Sequence, residues 1–428
     1  MKISLLKFYI ISNFFINYYK MEIRSVPKLK EILEGNKDLK ILVEKSIAKA
    51  REINPDKITN PAQTLDEYYK FLEASLTRMP WKILDDNFYE NHEDPDLAFK
   101  TDQSIIYPYW ILDIPLEELK GNNKFYNSVE YLDEISEWLT MYCNEWKEFL
   151  ESPRSWNEEI YEIFKKEKSF QLEKGWYEDS SNWKSFNDFF SRKIKGNARP
   201  IDKIEDDSII ITPVDSLPQG VWDINKEGKF FAEGIKDDNK VTLKSTTFIE
   251  IEQLLGEKCK QYGKNFYGGK LTHSYLHYND YHRYHFPISG TVLEAEIITP
   301  SPLVGGIVYW DAKKKEYCLK SNSLSWQAFE TRGVVILETC AGLVALLPIG
   351  MGQVSSVNFE PNIKKGLKVK KGDPLGYFLF GGSDFVMVFE EKANFNFTVE
   401  KVGEAKGYDN GYKHKMMGEQ YGIVKKNN

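Results

Sequence analysis

LFGGSDFVMVF, residues 379–389, is the stretch on which this chain turns. Phe378, Phe380, Phe385, Val386, Val388 and Phe389 are β-formers. A Gly-rich polar centre between such runs reads as a hairpin turn. The same centre, Gly381-Gly382-Ser383-Asp384, also meets a chemical requirement. Glycine has no Cβ, so a following serine hydroxyl can approach the carbonyl that precedes it. The rest of the chain must decide between a turn and a reactive bond.

The 428 residues suffice for two or three domains. Hydrophobic residues at 42% and charged residues at 28% are a globular balance, and a net charge of −7 argues against nucleic acid as a general partner. Cys143, Cys259, Cys318 and Cys340 are far apart and form no CxxC pair, which fits a reducing, cytoplasmic setting and offers no zinc or disulfide framework. Residues 1–20 are apolar, but Lys7, Asn13 and Asn17 interrupt them and no small-residue cleavage site follows. They read either as an extension upstream of the Met21 start or as a peripheral membrane anchor.

Residues 21–175 have a helical texture. Thr64 and Glu67 are spaced as a capping box. Leu132, Ile135, Leu139, Tyr142, Trp146 and Phe149 recur at helical steps, the buried face of one long helix. Residues 176–428 change to short β-rich runs punctuated by Gly, Pro, Asn and Asp. The expected class is α+β: a helical N-terminal domain, then a mostly β domain with a barrel-sandwich-like core. PISGTVLEA and VKKGDPLGYF resemble the lipoyl carrier fold, but the tip that follows them has no lysine to modify. A non-enzymatic β-barrel binding module remains the alternative of another class.

Four of the six histidines lie within HSYLHYNDYHRYH: His273, His277, His282 and His285. Histidine moves protons near neutral pH and also binds metals. The HExxH spacing is absent, and no metal site is expected.

DYHRYHFP, joined to a Gly-Ser centre, resembles the phosphatidylserine decarboxylase family of pyruvoyl enzymes. FFSRKIKGNARPID, residues 189–202, is similar to that family's entry motif, and TPVDS, residues 212–216, to its aspartate motif. The four stretches follow the family's order and cover roughly residues 180–395. The helical N-terminal region is similar to the extra domain of a soluble branch that includes fungal tryptophan decarboxylases.

The resemblance implies self-cleavage between Gly382 and Ser383, with the two resulting chains remaining partners. Ser383 would attack the Gly382 carbonyl, and the ester formed would eliminate to leave a pyruvoyl group as cofactor. His285 would be the base that activates Ser383, Asp215 its orienter, and His282 the acid for decarboxylation through an imine. His277 is the next candidate base. Arg283 would either support the loop or meet a carboxylate.

The resemblance implies an amine substrate that carries a carboxylate, phosphatidylserine by family default, with a free (aromatic) amino acid as the alternative. The family's best-known members read Leu-Gly-Ser-Thr at the cut, whereas this chain reads Gly381-Gly382-Ser383-Asp384. Asp384 is expected to border the substrate, where its charge would oppose an anionic head group by roughly 1 kcal/mol in a wet site. Its other reading is a turn residue bonding backbone N–H groups.

Overall fold

Thirteen residues after a strand at Val369, the chain enters the strand that organises the molecule, Gly382–Phe389. The computed structural model describes residues 22–121, 126–231, 248–299, 306–320, 326–328, 330–352, 356–404 and 409–426. The apolar segment 1–20 lies outside the described residues.

Helices dominate up to residue 190. Asn36 caps Lys37–Ile53 by accepting from Leu39 N, and Thr64 caps Leu65–Ser75 by accepting from Glu67 N. The Glu67 carboxylate reaches back to Gln63 N at 3.0 Å, one residue before the cap. The long helix Asp133–Leu150 buries Ile135, Leu139, Tyr142, Trp146 and Phe149, the face expected from the periodicity. Its buried Glu145 accepts from Ser25 N at 2.9 Å and also from the Ser25 hydroxyl, which ties down the first described helix, Ser25–Gly35.

From residue 209 onward the chain is mostly strand. A seven-stranded sheet, antiparallel at every step, runs Lys368–Val369, Gly290–Ile298, Thr331–Thr339, Gly342–Met351, Gly382–Phe389, Lys270–Leu276, Leu217–Asp223. A three-stranded sheet, Val357–Phe359, Pro374–Phe378, Arg283–His285, supplies Phe378 and Tyr284 to the core on one of its faces. The helix Ile251–Cys259 contributes to the core on the other. The helical layer and the β region share a core as well. Tyr317, from a hairpin of Ile307–Asp311 and Glu316–Lys320, exchanges bonds with Gln103 and donates its hydroxyl to Thr59 O at 2.7 Å.

The hairpin expected at residues 379–389 is not formed. Pro374–Phe378 pairs with Val357–Phe359 and Arg283–His285, while Gly382–Phe389 pairs with Gly342–Met351 and Lys270–Leu276. The Gly-Gly centre is the crossing from the small sheet to the large one. Glycine serves a crossing as well as a turn. Gly381 has φ +155°, a region closed to residues with a side chain. A Cβ on Gly382 would stand 2.6 Å from Met351 Cγ and 3.2 Å from Met351 O.

Gly382→Ala is therefore expected to destabilise the protein by about 1–3 kcal/mol, the usual cost of overpacking. Adding Met351→Ala should recover much of that loss. Denaturant midpoints of the two variants and their combination check this.

Candidate active site

Every residue from Ser383 to Phe389 is buried. Side chains alternate along a strand. Ser383 accordingly shares its face with Phe385 and Met387, in the core that contains Tyr284 and Phe378, and Asp384 shares the other face with Val386. The Ser383 hydroxyl is 1% exposed and makes one long hydrogen bond, 3.4 Å to Gly381 O. Among the described residues no stronger partner commits it.

Asp384 does not fit the place that the sequence reading gives it. It is neither a turn residue nor open to a substrate. It is 1% exposed, and one carboxylate oxygen takes a hydrogen bond from His273 Nε2. The other, Oδ1, has no bonded partner among the described residues. Burial pushes this carboxyl above the ordinary carboxylate range, with His273 pulling the other way. The pairing is diagonal across two strands, since Asp384 opposes Tyr275 and Val386 opposes His273.

His282 and His285 occupy the short strand and its approach on the small sheet. His282 is anchored to the segment just upstream of Ser383: its carbonyl accepts from Phe378 N at 2.9 Å. Its ring stacks on Phe190 at 3.9 Å, and Phe190 meets Phe380 edge-on at 5.4 Å. His282 Nδ1 lies 2.9 Å from Asp280 O. A carbonyl only accepts, so Nδ1 carries the proton. Burial, the largest influence, pulls this imidazole down to about 3.

His285 is held in the same tautomer, with Nδ1 donating to Gly372 O at 2.8 Å. Its Nε2 accepts from the Tyr281 hydroxyl at 3.0 Å. Burial pulls it down to about 4. Both ring nitrogens are thus engaged, and no hydrogen bond joins His285 to Ser383 or to Asp215 among the described residues.

Asp215 instead pairs with the buried Arg199 and accepts from Met417 N at 2.7 Å. Arg199 lies 5.2 Å from the Tyr281 ring, so Asp215 and His285 are linked through Arg199 and Tyr281. Burial raises the Asp215 carboxyl against the pull of Arg199. The structure therefore gathers Asp215, His282 and His285 around the 280–285 segment, but does not link Ser383, His285 and Asp215 by direct hydrogen bonds. His277 lends its backbone N–H to Asp280 Oδ2 at 2.8 Å. Arg283 does meet a carboxylate, that of Glu360, while also donating to Ser191 O at 3.1 Å.

Two participants escape the sequence reading. His414 donates from Nε2 to Asp280 Oδ1 at 2.9 Å, across 134 residues. Burial acts to lower its pKa, yet the Asp280 carboxylate outweighs that and holds it above the usual histidine value. Tyr281, between two of the singled-out residues, supplies the hydroxyl on His285. A cleft of about 690 Å³ opens nearby, where Asn187, Ser191, Arg283, Tyr377 and Leu379 line the seam with the helical layer.

Comparison with known proteins places this arrangement in a class. The family model described as phosphatidylserine decarboxylase matches residues 186–420, more than half of the chain. The chain belongs to the phosphatidylserine decarboxylase family. Among its relatives, a protein of Amanita muscaria named decarboxylase iboD is 31% identical over 230 residues, 51% of this chain and 61% of the relative. The phosphatidylserine decarboxylase proenzyme of Clostridium novyi is 32% identical over 228 residues, 53% of this chain and 65% of the relative. That of Fusobacterium nucleatum is 30% identical over 210 residues, 49% and 61%. The chain thus spans less than two thirds of the length of these relatives. The helices before residue 186 fall outside the family match.

The depressed histidines set a pH dependence. In the unfolded chain each titrates near 6.5, so the unfolded state binds more protons as pH falls below that value. The stability contributed by keeping His282 and His285 neutral is present above about pH 6.5 and lost as pH falls toward about 3 and about 4. Melting temperature should fall between pH 6.5 and 5, and His282→Gln and His285→Gln should each flatten the slope.

Proposed function

We propose that this chain is a self-processing, pyruvoyl-dependent decarboxylase that cuts itself between Gly382 and Ser383. The observation that carries this reading is the placement of Ser383. It is the first side chain of a strand paired on both edges, behind two glycines that cross between sheets. Pairing of Ser383 on both edges and of Gly382 with Met351 holds the bond, and Gly381, at φ +155°, supplies the unusual backbone angle just before it. Among the described residues the Ser383 hydroxyl has no strong competing bond that must first be broken.

A base must take the hydroxyl proton, and we assign this to His285, with the Tyr281 hydroxyl on its Nε2 and Asp215 acting through Arg199. His285 is neutral, and it would take the proton at Nε2 by way of the Tyr281 hydroxyl that already donates there. Residue 383 is suited to carry the pyruvoyl group, because it ends in the core beside His282's segment and remains held by the sheet after cleavage. When formed, that group supplies a carbonyl that takes up electrons as CO2 leaves. His282 is the assigned proton carrier for that step.

Phosphatidylserine is the first substrate reading. Asp384, sequestered by His273, presents no free charge against a phosphate. No helix among the described residues is long and apolar enough to cross a membrane, so contact with lipid would be peripheral. A free amino acid is the second reading. It is favoured by the helical layer, where Trp146 and Phe186 each pack 5.4 Å from Phe380, directly upstream of the cut. The nearby cleft also mixes Lys147, Lys193 and Arg283 with Glu151, Glu178, Asp188 and Glu360, a lining suited to a zwitterion. Carbon dioxide release from phosphatidylserine vesicles and from a panel of free amino acids separates the two. Release from vesicles supports the first reading, and release from amino acids alone supports the second.

Denaturing mass measurement should show chains 1–382 and 383–428. They should co-purify until denatured, because the strand Gly382–Phe389 is flanked on both sides. Ser383→Ala should stay whole. His285→Ala and Asp215→Asn should slow cleavage severely. His282→Ala should cleave and lose most decarboxylation. An uncut wild-type chain would remove the mechanism.

A further inference from the structure

Arg192 is fully buried in a nest of aromatic rings. Its guanidinium lies 4.5 Å from the Tyr177 ring centre, 5.2 Å from Phe189 and 5.5 Å from Phe170. Its hydrogen bonds are two, both from Nη2 to main-chain carbonyls: Asn279 at 3.2 Å and Asp280 at 3.1 Å. Nε and Nη1 are buried without a partner, and no carboxylate pairs with this cation among the described residues. Other buried arginines are better satisfied. Arg199 holds Asp215, Arg283 holds Glu360, and Arg332 donates to four carbonyls. A buried cation without an anion is costly, and aromatic faces return only part of that cost. A leucine or methionine would fill an aromatic nest more cheaply. Packing alone therefore does not account for an arginine here.

What the charge reaches is His282. The Asp280 carbonyl that accepts from Arg192 is the one that accepts from His282 Nδ1 at 2.9 Å. Two donors on one oxygen fix its position and orient the imidazole behind it. With Nδ1 protonated and Phe190 stacked on the ring plane, Nε2 is the open nitrogen, and no described residue bonds it.

We propose that Arg192 is a positioning residue for His282. Through the Asp280 carbonyl it holds the ring as the neutral Nδ1–H tautomer, and Nε2 serves as an empty proton site. This deepens the decarboxylase reading and rests on it. The substrate arrives as an ammonium ion and must lose a proton before its nitrogen can react. The N–H bond breaks and Nε2–H forms, giving an imidazolium beside Arg192. CO2 leaves with the C–C bond broken, and the electron pair stays behind. Nε2–H then breaks, a C–H bond forms at that carbon, and the ring is neutral again. The product amine takes its own proton from water. A nearby cation makes the imidazolium a stronger acid and speeds the return.

Burial is the largest influence against charge on the His282 ring. The Asp280 carboxylate favours the imidazolium, while Arg192 and His277 oppose it. His414 and the His277 backbone hold that carboxylate from its far side.

The test is 15N-imidazole NMR on the whole, processed enzyme, with His282→Gln assigning the signals. Wild-type His282 should be the neutral Nδ1–H tautomer and should not titrate between about pH 5 and 8. In Arg192→Met the Nδ1–H tautomer should no longer be enforced, and the two ring-nitrogen shifts should move toward each other. That variant should still cut itself, but release CO2 about tenfold more slowly or worse. Arg192→Lys keeps the charge and should stay within roughly threefold of wild type. A wild-type His282 that titrates near its ordinary value, or carries its proton on Nε2, overturns the proposal even if Arg192→Met fails to fold. So does an Arg192→Met enzyme whose His282 signals are unchanged. An enzyme that never cuts itself would instead show that the underlying reading has failed, and the tautomer measured on the uncut chain would still judge the Arg192 placement.

Discussion

The pairing of Gly382–Phe389 on both edges is the constraint on which the rest depends. A central strand buried on both faces cannot slide, since a shift of one residue would exchange the environments of all its side chains. Ser383 would trade places with Asp384, and a hydroxyl would give way to a carboxylate. The two glycines before it do the opposite. They release the chain from side-chain restrictions where it leaves one sheet for another. Under the proposed self-cleavage, the bond that reacts would lie at the very start of the paired strand, one residue after Gly381.

Asp280 is the second organising point. Its carbonyl takes Arg192 and His282, and its carboxylate takes His414 and the His277 backbone. One residue thus fixes the His282 imidazole and ties it to the C-terminal segment. That segment also gives Met417 N to Asp215. Residues 383–428 therefore contribute nearly all of the central strand, two strands of a small sheet with Ile209–Ile211, and contacts to the histidine region. If the chain is cut, these contacts keep the parts in register.

Much of this was legible in sequence, and for identifiable reasons. The helix Asp133–Leu150 announced itself through periodicity, which is a local signal. Gly382, Ser383, Asp215, His282 and His285 stood out because motifs are local too. What failed was non-local. The Gly-Gly centre looked like a hairpin because a sheet crossing asks for the same residues, and only the partner strands distinguish the two. Asp384 looked free because its partner, His273, is revealed only by strand register. His414 gave no signal, since a single histidine in a Lys-rich segment acquires meaning only beside Asp280. The direct His285-Asp215 contact expected from the resemblance is replaced by Tyr281 and Arg199, which no spacing rule would supply, and among the described residues no hydrogen bond joins Ser383 to either.

The central claim is that residue 383 becomes the reactive carbonyl of the protein. It is tested most directly by labelling the purified protein with a carbonyl-reactive hydrazide, followed by denaturation and peptide mapping. The account predicts one label, on the first residue of the peptide that begins at position 383. A peptide that begins there with a free amine, or a chain that takes up no label while Gly382 and Ser383 remain joined, would contradict it.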